Sequence, residues 1–512
     1  MKRIWIFVAV LSLLICGICW GQYTQHDRWN PYSQSKKGTV AFSPNQLPNL
    51  QLWLDPSKGT YQDTGLSTHA TTQGATVNGW ADQSGNGNNA TYSSGGTLQL
   101  GANGINSKPA LSFMSGNKLV TSSFLASNQA TTVYLVVTAP PSSTVETAIT
   151  NGSDFQSYFS ATTNVSPQKW ATVNPTNTHW ISPPATRNVH IMMAKWDGTF
   201  RLTGLDNYVY MDYSSENSGL TGALTIARPA VTNSYNWPAL IGDLLVYNAA
   251  HTPTQMAKVC NYLWTKYGQA SLYTLPNLAF EGNSWVSEYV ASGSEWEGVN
   301  GTPSDVIQGL GSNYNFTKIG VLGRNITTMT SQAPTEIDPS IMAGTTNVIA
   351  GWEIVNQCSG STAAQTYADL QAWATARKAA GWNKVVIVDS LPNPNSTVET
   401  CREGVNAYLA ADFPTATSHS NVYSAGAGVT YADYMVQVSQ DATMGYGPTA
   451  NCTGNGVPWS CCTGSGTSSC TTSTGANYNG TYYQTDNIHP NVAGSAILAP
   501  YIQNGFKAAL GQ

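Results

Sequence analysis

Residues 275–286 read LPNLAFEGNSWV: a short apolar run stops at Glu281, and Gly-Asn-Ser follows. Gly282 permits a tight turn there because it carries no Cβ. A hydroxyl such as that of Ser284 becomes a nucleophile only when a base can take its proton, and imidazole is the usual base near neutral pH. Beyond residue 272 the chain has two histidines, His419 and His489. His419 stands in PTATSHSN with no carboxylate pattern around it. His489 stands in TDNIHPN, three residues after Asp486. That spacing lets a turn bring the carboxylate to Nδ1–H, fix the tautomer and leave Nε2 to accept a proton. Serine, imidazole and carboxylate together perform acyl transfer. Each fragment also has a plain reading: Ser284 as a helix N-cap, and Asp486 with His489 as a surface pair in a polar loop.

Such residues need a rigid frame. From about 275 onward apolar strands alternate with helices. The strands are LAF (278–280), KIGVL (318–322), NVIAGWEIV (347–355), KVVIVDS (384–390) and YMVQV (434–438). The helices include TAAQTYADLQAWATARKAAG, TVETCREGVNAYLAADF and NVAGSAILAPYIQNGFKAAL. This alternation predicts an α/β sandwich with a parallel sheet covered on both faces. Ligands bind such sheets at the carboxyl ends of the strands, where Ser284 falls, near a helix start that favours negative charge. Between Leu47 and about Gly268, short alternating runs such as LQLWLD, TVYLVVTA and ALIGDLLVY are separated by Gly/Asn/Ser/Pro turns. They predict an all-β sandwich or jelly roll. A helix, TPTQMAKVCNYLWTKYG, closes that region, with Thr252 or Thr254 as cap and Gly268 as stop. The expected division is a polar lead-in over 22–44, a jelly-roll domain over 45–270 and an α/β domain over 275–512.

With these blocks in order, the chain from about 275 to 510 resembles the SGNH hydrolases, also called GDSL-type esterases. FEGNSWV resembles the nucleophile block, and KIGVLGRNITTM the second block with Gly323 at its oxyanion-hole glycine. WEIVNQ resembles the third block with Asn356 at the oxyanion-hole asparagine, and DNIHPN the last with Asp486 and His489. The resemblance implies a Ser284–His489–Asp486 triad, with an oxyanion hole from the N–H groups of Ser284 and Gly323 and the Asn356 amide. It implies ester hydrolysis through an acyl-enzyme, with no metal or organic cofactor required. Two departures stand out: Asn283 replaces the usual aspartate before the serine, and Ile354 stands where a glycine usually precedes the asparagine. Residues 47–268 resemble concanavalin A-like, laminin-G-like jelly rolls through LQLWLD, VNGWADQSGNGNNAT, KPALSF and IGDLLVYNAAHTPTQMAKVCNYLWTKYG. That resemblance implies glycan binding, sometimes with calcium. Trp53, Trp80, Trp180, Trp196 and Trp237 read either as sugar-stacking faces or as core. Asp55 and Asp82 read either as calcium ligands or as turn caps.

Composition narrows the class. The chain has 512 residues, of which 41% are hydrophobic and only 10% charged, with net charge −5. No basic cluster lies in the mature part, which argues against nucleic-acid binding. The start, MKRIWIFVAVLSLLICGICWGQ, reads as a signal peptide over residues 1–21: Lys2 and Arg3, an apolar run, then small residues. An uncleaved anchor is the alternative; no later segment is long and apolar enough for a span. Export makes disulfides the natural reading of Cys260, Cys358, Cys401, Cys452, Cys461, Cys462 and Cys470. Cys358 and Cys401 form one conceivable pair, and the crowded 452–470 loop a stapled one.

Three functions fit. The first is a secreted, periplasmic or cell-surface serine esterase deacylating a carbohydrate or other small-acyl ester, such as an acylated polysaccharide, with the jelly roll binding glycan. The second is a non-catalytic glycan- or surface-binding protein with a degenerate hydrolase unit. The third is a lipase-like enzyme with the 452–470 insertion as lid.

Overall fold

The computed structural model describes residues 42–94, 97–113, 117–126, 129–138, 145–151, 156–160, 169–173, 178–181, 189–198, 200–206, 208–213, 222–227, 239–269, 275–288, 301–393, 395–441, 444, 482–484 and 488–512. Among them the chain forms two sheets, one of fifteen strands and one of nine, with helices concentrated after residue 253. Up to Tyr247 the strands pair antiparallel within both sheets, apart from one parallel contact described below. Their inward faces are aliphatic and aromatic: Leu52, Leu54, Trp80, Leu111, Val136 and Leu245 are all fully buried. The helix Pro253–Lys266 packs against this core through Val259, Leu263 and Trp264. Of the two threonines eligible as its cap, Thr252 is the one used, accepting from the Gln255 backbone N–H.

The second half supplies five parallel strands: Asn277–Gly282, Asn315–Gly320, Asn347–Trp352, Lys384–Val388 and Tyr434–Val436. Numbered along the chain, their spatial order is 2-1-3-4-5. The first three are buried along their whole length, so their sequences do not alternate apolar with polar, although the second, NFTKIG, also buries Thr317 and Lys318. Strand order reverses at the first strand, flanked by the second and third. A crevice opens outside the carboxyl ends at such a reversal.

Among the described residues, one strand pairing crosses the division expected near residue 272. Strand Tyr208–Tyr213 pairs in parallel with Asn315–Gly320, from Tyr208–Phe316 to Met211–Ile319. The Tyr208 hydroxyl also donates to the Gly311 carbonyl at 3.0 Å. The larger sheet therefore runs through both halves. Two edge strands, each with unpaired backbone groups, satisfy one another. At its far end the sheet adds an antiparallel edge, Thr415–Ala416 and Val422–Ser424, that the sequence reading did not contain.

Candidate active site

The first parallel strand ends at Gly282, and Asn283 starts a single helical turn, Ser284–Ser287. Asn283, not the serine, is the N-cap: its Oδ1 accepts the Trp285 backbone N–H at 2.8 Å. Ser284 occupies the first helical position, which leaves its hydroxyl uncommitted to capping. Close packing makes this turn possible. A Cβ on Gly282 would lie 2.5 Å from the Trp352 carbonyl oxygen, and one on Gly320 would lie 1.9 Å from the Ser287 nitrogen.

His489 arrives from just before the last helix, Val492–Leu510. Its Nε2 is 2.7 Å from Ser284 Oγ, and both side chains are buried. With the serine donating, Nε2 is the bare nitrogen and the ring proton sits on Nδ1. The histidine segment is pinned on both sides. Trp285 Nε1 donates to the Ile488 carbonyl at 3.2 Å, and Gln484 N donates to the His489 carbonyl at 2.8 Å. Asn491 then caps the helix by accepting from Gly494 N. Asp486 lies outside the described residues, as do Cys452, Cys461, Cys462 and Cys470. His419 lies in the turn between the two short edge strands, on the outer margin of the sheet.

Gly323 sits in a turn just after the second strand. Val321 N donates to the Gly282 carbonyl at 3.2 Å, which places that turn against the serine strand. Arg324 N closes it onto the Val321 carbonyl at 3.1 Å, and Gly323 has φ +72°, a conformation that favours glycine. The strand expected over 318–322 therefore ends at Gly320, because the chain must leave the sheet to make this turn. Asn356 lies on a one-turn helix, Val355–Cys358, after the third strand. Its Nδ2 donates to the Arg324 carbonyl at 3.0 Å, so it rests on the glycine turn. Ile354 is fully buried in the core. Ser284, Gly323 and Asn356 thus all follow the carboxyl ends of three adjacent strands.

Residues absent from the sequence reading hold this group. Arg324 is buried, with one guanidinium nitrogen 3.2 Å from Glu281 and 2.7 Å from Glu336. Glu281 also accepts from Trp373 Nε1 at 2.9 Å, and Arg377 stands 3.9 Å away. Burial pushes Glu281 up to about 7, against the pull of both guanidinium groups. This cluster ties the glycine turn to the strand that carries the serine. Glu353, fully buried, accepts from the Asn283 side-chain amide and from Gln357 N at 2.9 Å; burial pushes it up to about 8. A glutamate inside an otherwise apolar strand end was the available sequence signal for both Glu281 and Glu353.

The disulfide Cys358–Cys401 joins the Asn356 helix to the helix Ser396–Asp412. Cys260 is buried and in no disulfide, its thiol donating to Met193 Sδ at 3.1 Å. In the first half, Trp53, Trp80 and Trp196 are buried. The side chains of Trp180 and Trp237 lie outside the described residues. Asp82 is a turn cap, accepting from Trp53 N, Ser84 N and Asn88 N. Asp55 pairs with Lys266 at 2.6 Å, tying the helix that follows the antiparallel strands to the first of them.

No family model matches the chain, and no curated protein matches it. Solved structures with partial likeness include domain 4 of AbnA, an extracellular arabinanase from Geobacillus stearothermophilus, solved with arabinotriose. It shares 14% identity over 40% of this chain and 96% of that one, with a TM-score of 0.29. A member of the lipolytic protein G-D-S-L family from Veillonella parvula shares 17% identity over 27% of this chain and 71% of that one, with a TM-score of 0.23. The receptor-binding domain of botulinum neurotoxin type G shares 10% identity over 44% and 53%, with a TM-score of 0.29.

Proposed function

We propose that this protein is an exported serine esterase of the SGNH type, acting on small-acyl esters of a carbohydrate or similar alcohol. The observation that carries the reading is the 2.7 Å approach of His489 Nε2 to Ser284 Oγ at the point where strand order reverses. In the proposed reaction Ser284 Oγ attacks the ester carbonyl carbon while Nε2 takes its proton. The tetrahedral oxyanion is met by the N–H groups of Ser284 and Gly323 and by the Asn356 amide, each such donor contributing about 3 kcal/mol. The imidazolium then returns its proton to the departing alkoxide. Water, deprotonated by the same ring, releases the carboxylic acid from the acyl-enzyme. Asp486 is assigned the orientation of the imidazole and the stabilisation of its cation. The antiparallel region is read as a jelly-roll domain that presents the enzyme to a glycan surface.

The test is turnover of 4-nitrophenyl acetate, butyrate and octanoate by the wild type and by Ser284→Ala. The reading requires acetate turnover that disappears in the variant. Equal turnover by both proteins refutes the nucleophile. No turnover by either favours a non-catalytic binding protein, a rival supported by the engagement of the Asn356 amide with the Arg324 carbonyl. Preference for octanoate points to the lipase-like alternative.

A further inference from the structure

We propose that Glu353 is a positioning residue of this site, its one carboxyl group clamping the side-chain amides of Asn283 and Asn356 and so fixing the serine turn relative to the oxyanion amide. The inference rests on the esterase reading above and adds a residue to it.

Glu353 directly follows the third strand, Asn347–Trp352, beside the first. It is 1% exposed. One oxygen, Oε2, accepts from Asn283 Nδ2 and stands 3.5 Å from Asn356 Nδ2; the other, Oε1, accepts from Gln357 N at 2.9 Å. Asn283 passes the constraint on: its Oδ1 holds Trp285 N, so the loop from 283 to 285 is gripped on both sides of Ser284. Asn356 passes it on through the Arg324 carbonyl, next to Gly323. One carboxyl group thus connects the two segments that carry the nucleophile and the oxyanion donors.

The chemistry of the node favours a glutamate over its neutral isostere. All these partners are N–H donors, so they match the ionised carboxylate, which accepts at both oxygens, whereas glutamine, like the protonated acid, accepts at one end and donates at the other. No ion pair reaches Glu353 among the described residues, so the group is desolvated without a compensating cation, an expensive arrangement. Packing alone would be served more cheaply by glutamine. What the acid adds is two-ended acceptance.

The experiment is a cycle over the two positions. Glu353→Gln turns an N–H against the facing donors. At pH 9, where the wild-type carboxyl is ionised, its kcat is expected to fall about 10- to 100-fold, with KM within twofold, because small misplacements cost rate rather than binding. Asn283→Asp puts two acids in contact and is expected to fall similarly. The double variant Asn283→Asp/Glu353→Gln reverses donor and acceptor, and is expected to regain at least tenfold over Glu353→Gln. Wild-type kcat in Glu353→Gln, or losses that simply multiply in the double variant, overturn the proposal. Ester turnover that survives in Ser284→Ala, or none in the wild type, defeats the esterase reading instead. The clamp is then read from ¹⁵N-asparagine-labelled protein, with side-chain signals assigned through Asn283→Asp and Asn356→Asp. Glu353→Gln is expected to shift both amides, and unchanged signals overturn it.

Discussion

The imidazole of His489 stands 2.7 Å from the hydroxyl of Ser284, although 205 positions separate them along the chain. If that contact is the proton path, removing the ring while keeping the serine must abolish rate. His489→Ala is expected to lower kcat by about 10⁴ or more, since members of such a set act as a unit. Steady-state hydrolysis of 4-nitrophenyl acetate measures this, with circular dichroism to verify folding. A loss below tenfold in a folded variant assigns the base elsewhere.

The serine turn is seated by a close approach of backbone to backbone at Gly320. A Cβ there would meet the Ser287 nitrogen at 1.9 Å and the Val286 carbonyl carbon at 2.3 Å. Neither atom can rotate away as a side chain does. Gly320→Ala is therefore expected to cost about 1–3 kcal/mol in urea unfolding and at least about tenfold in kcat. Gly360→Ala serves as control, because a Cβ there meets nothing within 4 Å. Equal stability of the two variants contradicts the packing argument.

The disulfide bears on the same site. Cys358 is two residues past Asn356, and its bond to Cys401 closes a loop of sequence separation 43. In the chain-entropy account a loop of that size is worth about 3–4 kcal/mol. Cys358→Ala/Cys401→Ala, or reduction of the wild type, is expected to lower the unfolding midpoint accordingly. It is also expected to reduce kcat more than KM changes, through loosening of the Asn356 helix. Thermal scans with and without dithiothreitol decide the first part and kinetics the second.

Stability should fall as pH rises towards 8. Burial pushes Glu353 up to about 8 from an ordinary 4.5, and Asp305 up to about 7 from 3.8, the latter helped by the negative charge of Glu288. In the unfolded chain both ionise near their ordinary values. Between about pH 5 and 7 the folded state therefore holds more protons than the unfolded one, and its advantage shrinks as pH rises through the folded values. Urea unfolding at pH 5.5, 7 and 8.5 is expected to show this decline. Glu353→Gln and Asp305→Asn should each flatten it, and an unchanged slope in both removes the attribution.

Much of the frame was legible in the sequence. The five parallel strands fell within a few residues of their expected places, because strands buried on both faces are rich in apolar residues. The cap at Thr252 and the left-handed stop at Gly268 followed from local backbone chemistry. Cys358 and Cys401, raised as a conceivable pair, are bonded. What stayed hidden was the set of buried charges around the site. Glu281, Arg324 and Glu353 come from three different strand ends, and although an apolar setting marks the two glutamates, nothing local says which partners they meet. The pairing of Tyr208–Met211 with Phe316–Ile319 was equally invisible, since two polar-edged strands about a hundred residues apart carry no mutual mark.

The sequence by itself determined the order of elements, the turn that Gly282 permits, and which side chains have the chemistry for acyl transfer. Only the tertiary structure decided that His489 reaches Ser284, that Asn283 rather than the serine caps the short helix, and that Glu353 lies between two amides. The reason is physical: periodicity and backbone freedom act over a few residues, whereas a hydrogen bond between distant segments exists only once packing has fixed the path of the chain between them.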